Sequence, residues 1–113
     1  MSRKAIIISG NLAQDHEFIY PYYRLLEEEF KVDVCLLEGK PVQGILGTKI
    51  PPNKDQIVKK IDDVLVENYN LLILPGGVKA MEKVRQEKKI IKFISEFDKK
   101  KKVIACICSG AQL

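Results

Sequence analysis

The sequence predicts a doubly wound α/β domain: a mostly parallel sheet with helices on both faces. Four short apolar runs rich in β-branched residues read as strands buried on both sides, namely Lys4 to Ser9, Val32 to Leu37, Tyr69 to Leu74 and Val103 to Ile107. Amphipathic stretches with apolar spacings of three and four separate them. Alternation of that kind calls for crossover connections and hence parallel strands.

The first strand closes on Gly10-Asn11. From Gln14 to Phe30, the residues Phe18, Tyr22, Leu25, Leu26 and Phe30 mark one helix face, with Asp15 and Glu17 at its start. Pro21 falls in its early turns, where it can bend the helix. After the second strand, Glu38 to Pro52 carries three separate Gly/Pro breaks and short apolar pieces, the pattern of a small excursion or hairpin. Asn53 then reads as the cap of a helix with Ile57, Ile61, Val64 and Leu65 on its apolar face. The third core strand stops at Pro75-Gly76-Gly77, Ala80 to Arg85 can form one or two helical turns, and Lys88 to Lys100 is a helix with Ile90, Ile91, Ile94 and Phe97 inward.

The 113 residues, 46% hydrophobic and 30% charged, bound a single domain with one core, 1–113. No apolar run approaches the roughly 20 residues of a membrane span, and Met1-Ser2-Arg3-Lys4 leads directly into a strand, so the expected address is the cytoplasm with no membrane partner. Three cysteines, an odd number, fit a reducing compartment better than a disulfide framework. The net charge of +4 is dispersed among acids, and the run Lys99 to Lys102 lies where cations face a helix's negative end, so nucleic acid is not implied. One histidine and two strand-end cysteines do not build a zinc site, and neither a phosphate loop nor Gly-x-Gly-x-x-Gly is present. Neither a metal nor a cofactor is expected.

Ligands of such sheets bind outside the carboxyl ends of the strands. The loops at that edge are 10–17, 38–40, 75–82 and 108–112. Cys108 is the one thiol there, on a strand-to-helix elbow whose sharp turn exposes the side chain to the free amides and positive end of the next helix, conditions that favour thiolate. Cys106 and Cys35 read as core residues. His16, the single histidine, lies on the first loop or helical turn; a surface histidine is the plainer reading, a partner for Cys108 the other. Gln14, Asp15 and Glu17 read as caps and helix-start acids. Gly76 and Gly77 allow the backbone to pass close to a ligand or to offer amides to an oxyanion.

Three segments resemble the PfpI/ThiJ family, the intracellular protease PfpI branch in particular, whose fold is of the flavodoxin-like, class I glutamine amidotransferase type. They are 17–25 (Glu-Phe-Ile-Tyr-Pro-Tyr-Tyr-Arg-Leu), 72–77 (Leu-Ile-Leu-Pro-Gly-Gly) with 82–85 (Glu-Lys-Val-Arg), and 103–113 (Val-Ile-Ala-Cys-Ile-Cys-Ser-Gly-Ala-Gln-Leu). The resemblance implies that Cys108 is the nucleophile and that Glu82 reaches its neighbourhood from an adjacent subunit of an oligomer. The family's histidine after the cysteine is Ser109 here, the proline after glycine is Ala111, and the acid that hydrogen-bonds the nucleophile from the first loop falls at Gln14. A Cys-His-Glu triad is therefore not written in this chain. Proton transfer is expected from His16 or Asp15, since an amide at position 14 donates a hydrogen bond but shuttles no proton. The resemblance also implies strands and a buttressing helix beyond Leu113, so the fold is expected to be incomplete after the elbow.

The function this implies is that of a cysteine-dependent hydrolase or lyase acting on a small-molecule or peptide carbonyl, either peptidase/amidase or glyoxalase/deglycase. The catalytic set is Cys108, Glu82, Ser109, Gln14 and His16, with Gly76, Gly77 and Ser109 holding the oxyanion. The alternative is a non-enzymatic, redox-responsive or chaperone-like protein sensing oxidants through Cys108. A weaker option is an amidotransferase glutaminase domain. Homo-oligomerisation rests on Glu82 and on Tyr20, Tyr22 and Tyr23, which serve either as core or as contact surface.

Overall fold

A computed structural model describes residues 3–107. Strands β1 (Lys4–Ser9), β2 (Lys31–Leu36), β5 (Val58–Lys59), β6 (Leu71–Leu74) and β7 (Val103–Cys106) form one sheet in the order β5-β2-β1-β6-β7. All four pairings in it are parallel. Helix α1 (Asp15–Glu27) follows β1, and α2 (Val78–Arg85) and α3 (Lys88–Lys99) follow β6. The excursion after β2 is an antiparallel hairpin of β3 (Val42–Gln43) and β4 (Lys49–Ile50), as its Gly/Pro punctuation suggests.

β1 is the middle strand, and Ala5, Ile6, Ile7, Ile8 and Ser9 are fully buried. Successive side chains of a strand face opposite sides, and two cores result. Ile6, Ile8, Leu72 and Leu74 pack with Met81, Val84, Ile90, Phe93 and Phe97 from α2 and α3. On the other side, Ile7, Leu36 and Ile73 pack with Phe18 and Tyr22 of α1 and with Ile50 of the hairpin. Each such aliphatic or aromatic side chain contributes about 1.5–3 kcal/mol of burial, which makes the sheet's two faces the source of its stability.

The helix expected after Asn53 does not form. That stretch instead makes the edge strand β5 and two short 3-10 turns, Ile61–Asp63 and Val66–Asn68. The supposed apolar face is split: Ile57 is 73% exposed and Leu65 55%, whereas Val64 and Val66 are buried. Sheet pairing competes successfully with helix here. Val58 pairs with Val34, and Gln56 accepts from the Tyr22 hydroxyl at 2.7 Å while donating to the Val32 carbonyl at 3.2 Å. β-branched residues at 57, 58, 61, 64 and 66 lose less in extended backbone than in helix.

The lysine run is only partly a solvated surface. Lys102 donates to the carbonyls of Val66 and Tyr69 at 2.8 and 2.7 Å and lies over the Phe97 ring, tying β7's approach to the second 3-10 turn.

At the amino end of the sheet, Asp33 receives the Tyr69 hydroxyl at 2.7 Å and lies 3.2 Å from Lys59 and 3.4 Å from Lys4. Burial alone would raise its pKa, but the Tyr69 and Lys59 hydrogen bonds and the two lysine charges outweigh it and hold the carboxyl below its ordinary value of 3.8. Burial, then the hydrogen bond to Asp33 and the charge of Asp33, raise the Tyr69 hydroxyl. A depressed folded-state pKa adds stability above the unfolded value, and that stability is lost as pH falls through the folded value. Denaturant titrations of wild type and Asp33→Asn should therefore show a stability gap at pH 6 that narrows below about pH 4. A gap of constant size from pH 6 to pH 3 would contradict the assignment.

Candidate active site

The strand order places the reversal of winding between β1 and β6. The chain leaves β1 towards α1 on one face and leaves β6 towards α2 on the other, so their carboxyl ends open a crevice, the place where ligands bind in open α/β sheets. Two loops close over it. The Gln14 amide donates to the Gly76 carbonyl at 3.1 Å, and the Gly77 carbonyl receives Met81 in the first turn of α2. Gly77 has φ +121°, and a Cβ there would stand 2.7 Å from the Gln14 nitrogen and 2.9 Å from the Ala13 Cα. Glycine is required for both reasons. Pro75, Gly76 and Gly77 are all buried. β7 runs into the same place, its following residue Ile107 donating to the Leu74 carbonyl at 3.0 Å. Cys108 and Ser109 come next in the chain and lie outside the described residues.

The first turn of α1 divides its polar residues among separate tasks. Gln14 is the N-cap, its side-chain oxygen accepting from the Glu17 amide at 3.0 Å. Asp15, 2% exposed, accepts from the Leu46 and Thr48 amides at 2.7 and 3.0 Å and from the Thr48 hydroxyl, which fixes the hairpin tip to the helix. These three hydrogen bonds commit Asp15 to the hairpin, in place of the proton-transfer role expected for it. His16 is exposed on the outer side of α1, beside a groove of about 300 Å³ shared with Tyr20, Tyr23 and Glu27. A turn of 100° per residue sets that side opposite the buried Phe18 and Tyr22.

Glu17 is the residue whose part sequence reasoning missed. Its Oε1 is buried without a hydrogen-bond partner, as is the Ser9 hydroxyl at the end of β1, and these are the two such side-chain atoms among the described residues. A buried, unpartnered carboxylate oxygen is costly and calls for an explanation. The available signal was its spacing, three residues after Gln14 and four before Pro21, on the flank of the buried stripe rather than in solvent.

Glu82 sits on the exposed side of α2 and pairs with Arg85 at 3.3 Å. Of the tyrosines, Tyr22 belongs to the core, while Tyr20 and Tyr23 are 68% and 42% exposed. Cys35 is buried as expected, and burial, aided by the charge of Asp63, pushes its thiol up to about 12. Cys106 is exposed rather than part of the core. Among the described residues β7 pairs only with β6, and Cys106 borders an open cleft of about 350 Å³ with Ile91, Ile94 and Ile104.

A parallel sheet whose switch-point crevice receives a Gly-Gly turn and a capped helix defines a flavodoxin-like α/β protein. The chain belongs to the DJ-1/PfpI family, which it matches over residues 3–113. It is 32% identical to the deglycase PfpI of Pyrococcus furiosus over 97% of its own length and 63% of that protein's. An uncharacterised protein of Archaeoglobus fulgidus is 34% identical over 97% of this chain and 62% of its own. The chain thus spans less than two thirds of these relatives. The crystal structure of Drosophila melanogaster DJ-1beta superposes with a TM-score of 0.87 at 22% identity, covering 99% of this chain and 58% of that one, which shows the shared fold.

Two substitutions test how the crevice is held. Gly77→Ala should cost about 1–3 kcal/mol in denaturant unfolding through its backbone conformation alone. Gly10→Ala should cost less, because a Cβ there meets Glu38 and Leu37 side chains at 3.4–3.5 Å. Equal losses would remove the close approach at Gly77 as a constraint. Asp15→Ala leaves the Leu46 and Thr48 amides without their acceptor and should cost about 2 kcal/mol, with loss of amide protection concentrated in 44–48.

Proposed function

We propose that the chain supplies the crevice of a cysteine-dependent DJ-1/PfpI enzyme that acts on carbonyl adducts as a deglycase, with Cys108 as nucleophile and Glu17 as its proton partner. The observation that carries this reading is the buried, unpartnered Glu17 Oε1 in the first turn of α1, whose cap is hydrogen-bonded to the Gly-Gly turn at the switch point. Support for the substrate class comes from the deglycase PfpI of Pyrococcus furiosus and the deglycase of Pyrococcus horikoshii, each 32% identical to this chain.

The Cys108 thiolate adds to the carbonyl carbon, so that a C–S bond forms while the C=O π pair moves onto oxygen. The amides of Gly76 and Gly77, together with Ser109, are assigned to that oxyanion. Glu17 exchanges the proton that leaves the thiol and returns to the adduct. Gln14 and Asp15 do not compete for that task, since one is an amide engaged in capping and the other is engaged by the hairpin. His16 is on the far side of the helix. Expelling an amine from a peptide needs an acid positioned at the leaving group, and Ser109 stands where the resemblance places a histidine, which weakens the peptidase reading most.

Turnover of methylglyoxal adducts should disappear in Cys108→Ala and fall by about 100-fold or more in Glu17→Gln. His16→Ala should retain wild-type rate and pH profile. Wild-type turnover in Glu17→Gln would remove Glu17 from the mechanism, and peroxide oxidation confined to Cys108 without any turnover would favour the redox-sensing alternative. Alkylation at mildly acidic pH should label Cys108 first and Cys35 last, whereas exposed Cys106 reacts at an intermediate rate; Cys106→Ser isolates the signal.

A further inference from the structure

Next to the crevice, a groove of about 720 Å³ runs between the hairpin and α2. Its wall includes Asn11 and Glu38 at the ends of β1 and β2, Gln43, and three lysines, Lys40, Lys49 and Lys83, from three different elements. The one carboxylate in the wall is already engaged: Glu38 accepts the Asn11 amide through both oxygens, at 3.3 and 3.2 Å. Asn11 in turn accepts from the Gln43 amide at 3.3 Å, and the Leu12 amide donates to the Gln43 carbonyl at 2.8 Å, so the hairpin wall is tied to the crevice loop. Glu82, beside Lys83, is occupied by Arg85. No acid among the described residues forms an ion pair with Lys40, Lys49 or Lys83, unlike Lys4, Lys59 and Lys89.

We infer that this groove binds an anionic group of the substrate, a carboxylate or phosphate carried away from the reacting carbonyl. The inference rests on the carbonyl-adduct reading above and narrows it to acidic adducts. Three cations brought together in a concave wall raise the local potential and attract an oxyanion more strongly than any one exposed lysine does. The hairpin supplies Lys49, and its attachment through Asp15 and Asn11 holds that cation near the loop that borders the switch point. Ammonium groups on flexible stems favour charge over shape, so recognition of the anion tolerates varied substrates around it.

Two hemithioacetals of methylglyoxal test this, one formed with N-acetylcysteine and one with N-acetylcysteine amide, which differ by a single carboxylate. The full chain should process the acidic adduct with a several-fold higher kcat/KM, expressed in KM and weakened by added salt. The combined Lys40→Gln, Lys49→Gln, Lys83→Gln variant should lose that preference and process the neutral adduct as wild type does. Equal turnover of both adducts by wild type, or an undiminished preference in the variant, would overturn the inference.

Should neither adduct be turned over, the deglycase reading fails while the groove is tested separately by NMR titration with succinate and with inorganic phosphate. Saturable shifts of the Asn11, Gln43 and Gly47 amides that vanish in the triple variant would support an anion site, and the stronger of the two probes distinguishes carboxylate from phosphate. Shifts that are absent, or that persist unchanged in the variant, would sink it.

Discussion

The bridge between the loops after β1 and β6 is the constraint on which the rest of this structure depends. These neighbouring strands send their chains to opposite faces of the sheet, so their carboxyl ends separate unless something ties the departing loops together. The Gln14 amide on the Gly76 carbonyl does so, and the contact is possible only because Gly77 has no side chain to meet Ala13 and Gln14. The position of α1 follows from that bond, since Gln14 is also its cap. From α1 follow the hairpin, held by Asp15, and the second core, closed by Phe18, Tyr22 and Ile50. A local backbone contact at the crevice is thereby coupled to packing on one whole face of the sheet.

Much of this was legible in the sequence because it is governed by short periodicities. The four core strands, α1, α3 and the hairpin appear where apolar runs, three-and-four spacing and Gly/Pro breaks place them. Residues 53–68 were misread as a helix because four apolar positions at helical spacing cannot reveal that an unpaired edge of β2 lies within reach. The same limit applies to Asp15. As a helix-start acid it resembles Glu17, and only the amides of Leu46 and Thr48, 31 and 33 residues away, set the two apart. Cys106 reads as core by residue type and strand position, but core membership also depends on what covers the strand, and among the described residues β7 pairs only with β6.

The family to which the chain belongs and its fold were both legible in three motifs, and the departures from those motifs gain meaning from the structure. Gln14 supplies the capping oxygen that α1 needs from an amide, which does not titrate. Capping then does not vary with pH, and the first loop keeps its bond to Gly76 whatever the protonation state of its neighbours. Three polar side chains of one helical turn thus hold distinct roles: Gln14 caps, Asp15 anchors the hairpin, and Glu17 keeps one oxygen without a hydrogen-bond partner. Glu17 has the positive end of α1 in its favour, but burying one carboxylate oxygen without a hydrogen-bond donor still costs free energy.

The same division extends across the surface. Ion pairs occupy the amino end of the sheet around the largely buried Asp33 and the outer sides of α1 and α2, where the exposed pairs of Arg24 and Arg85 add little to stability. Around the hairpin the charges are arranged otherwise: Glu38 turns inward to the Asn11 amide and leaves the lysines of the wall without a counterion. Those hydrogen bonds shape the crevice loop, while the groove is cationic because its three lysines outnumber its one carboxylate. A change at Glu38 would alter the loop's hydrogen bonds and the groove's charge together.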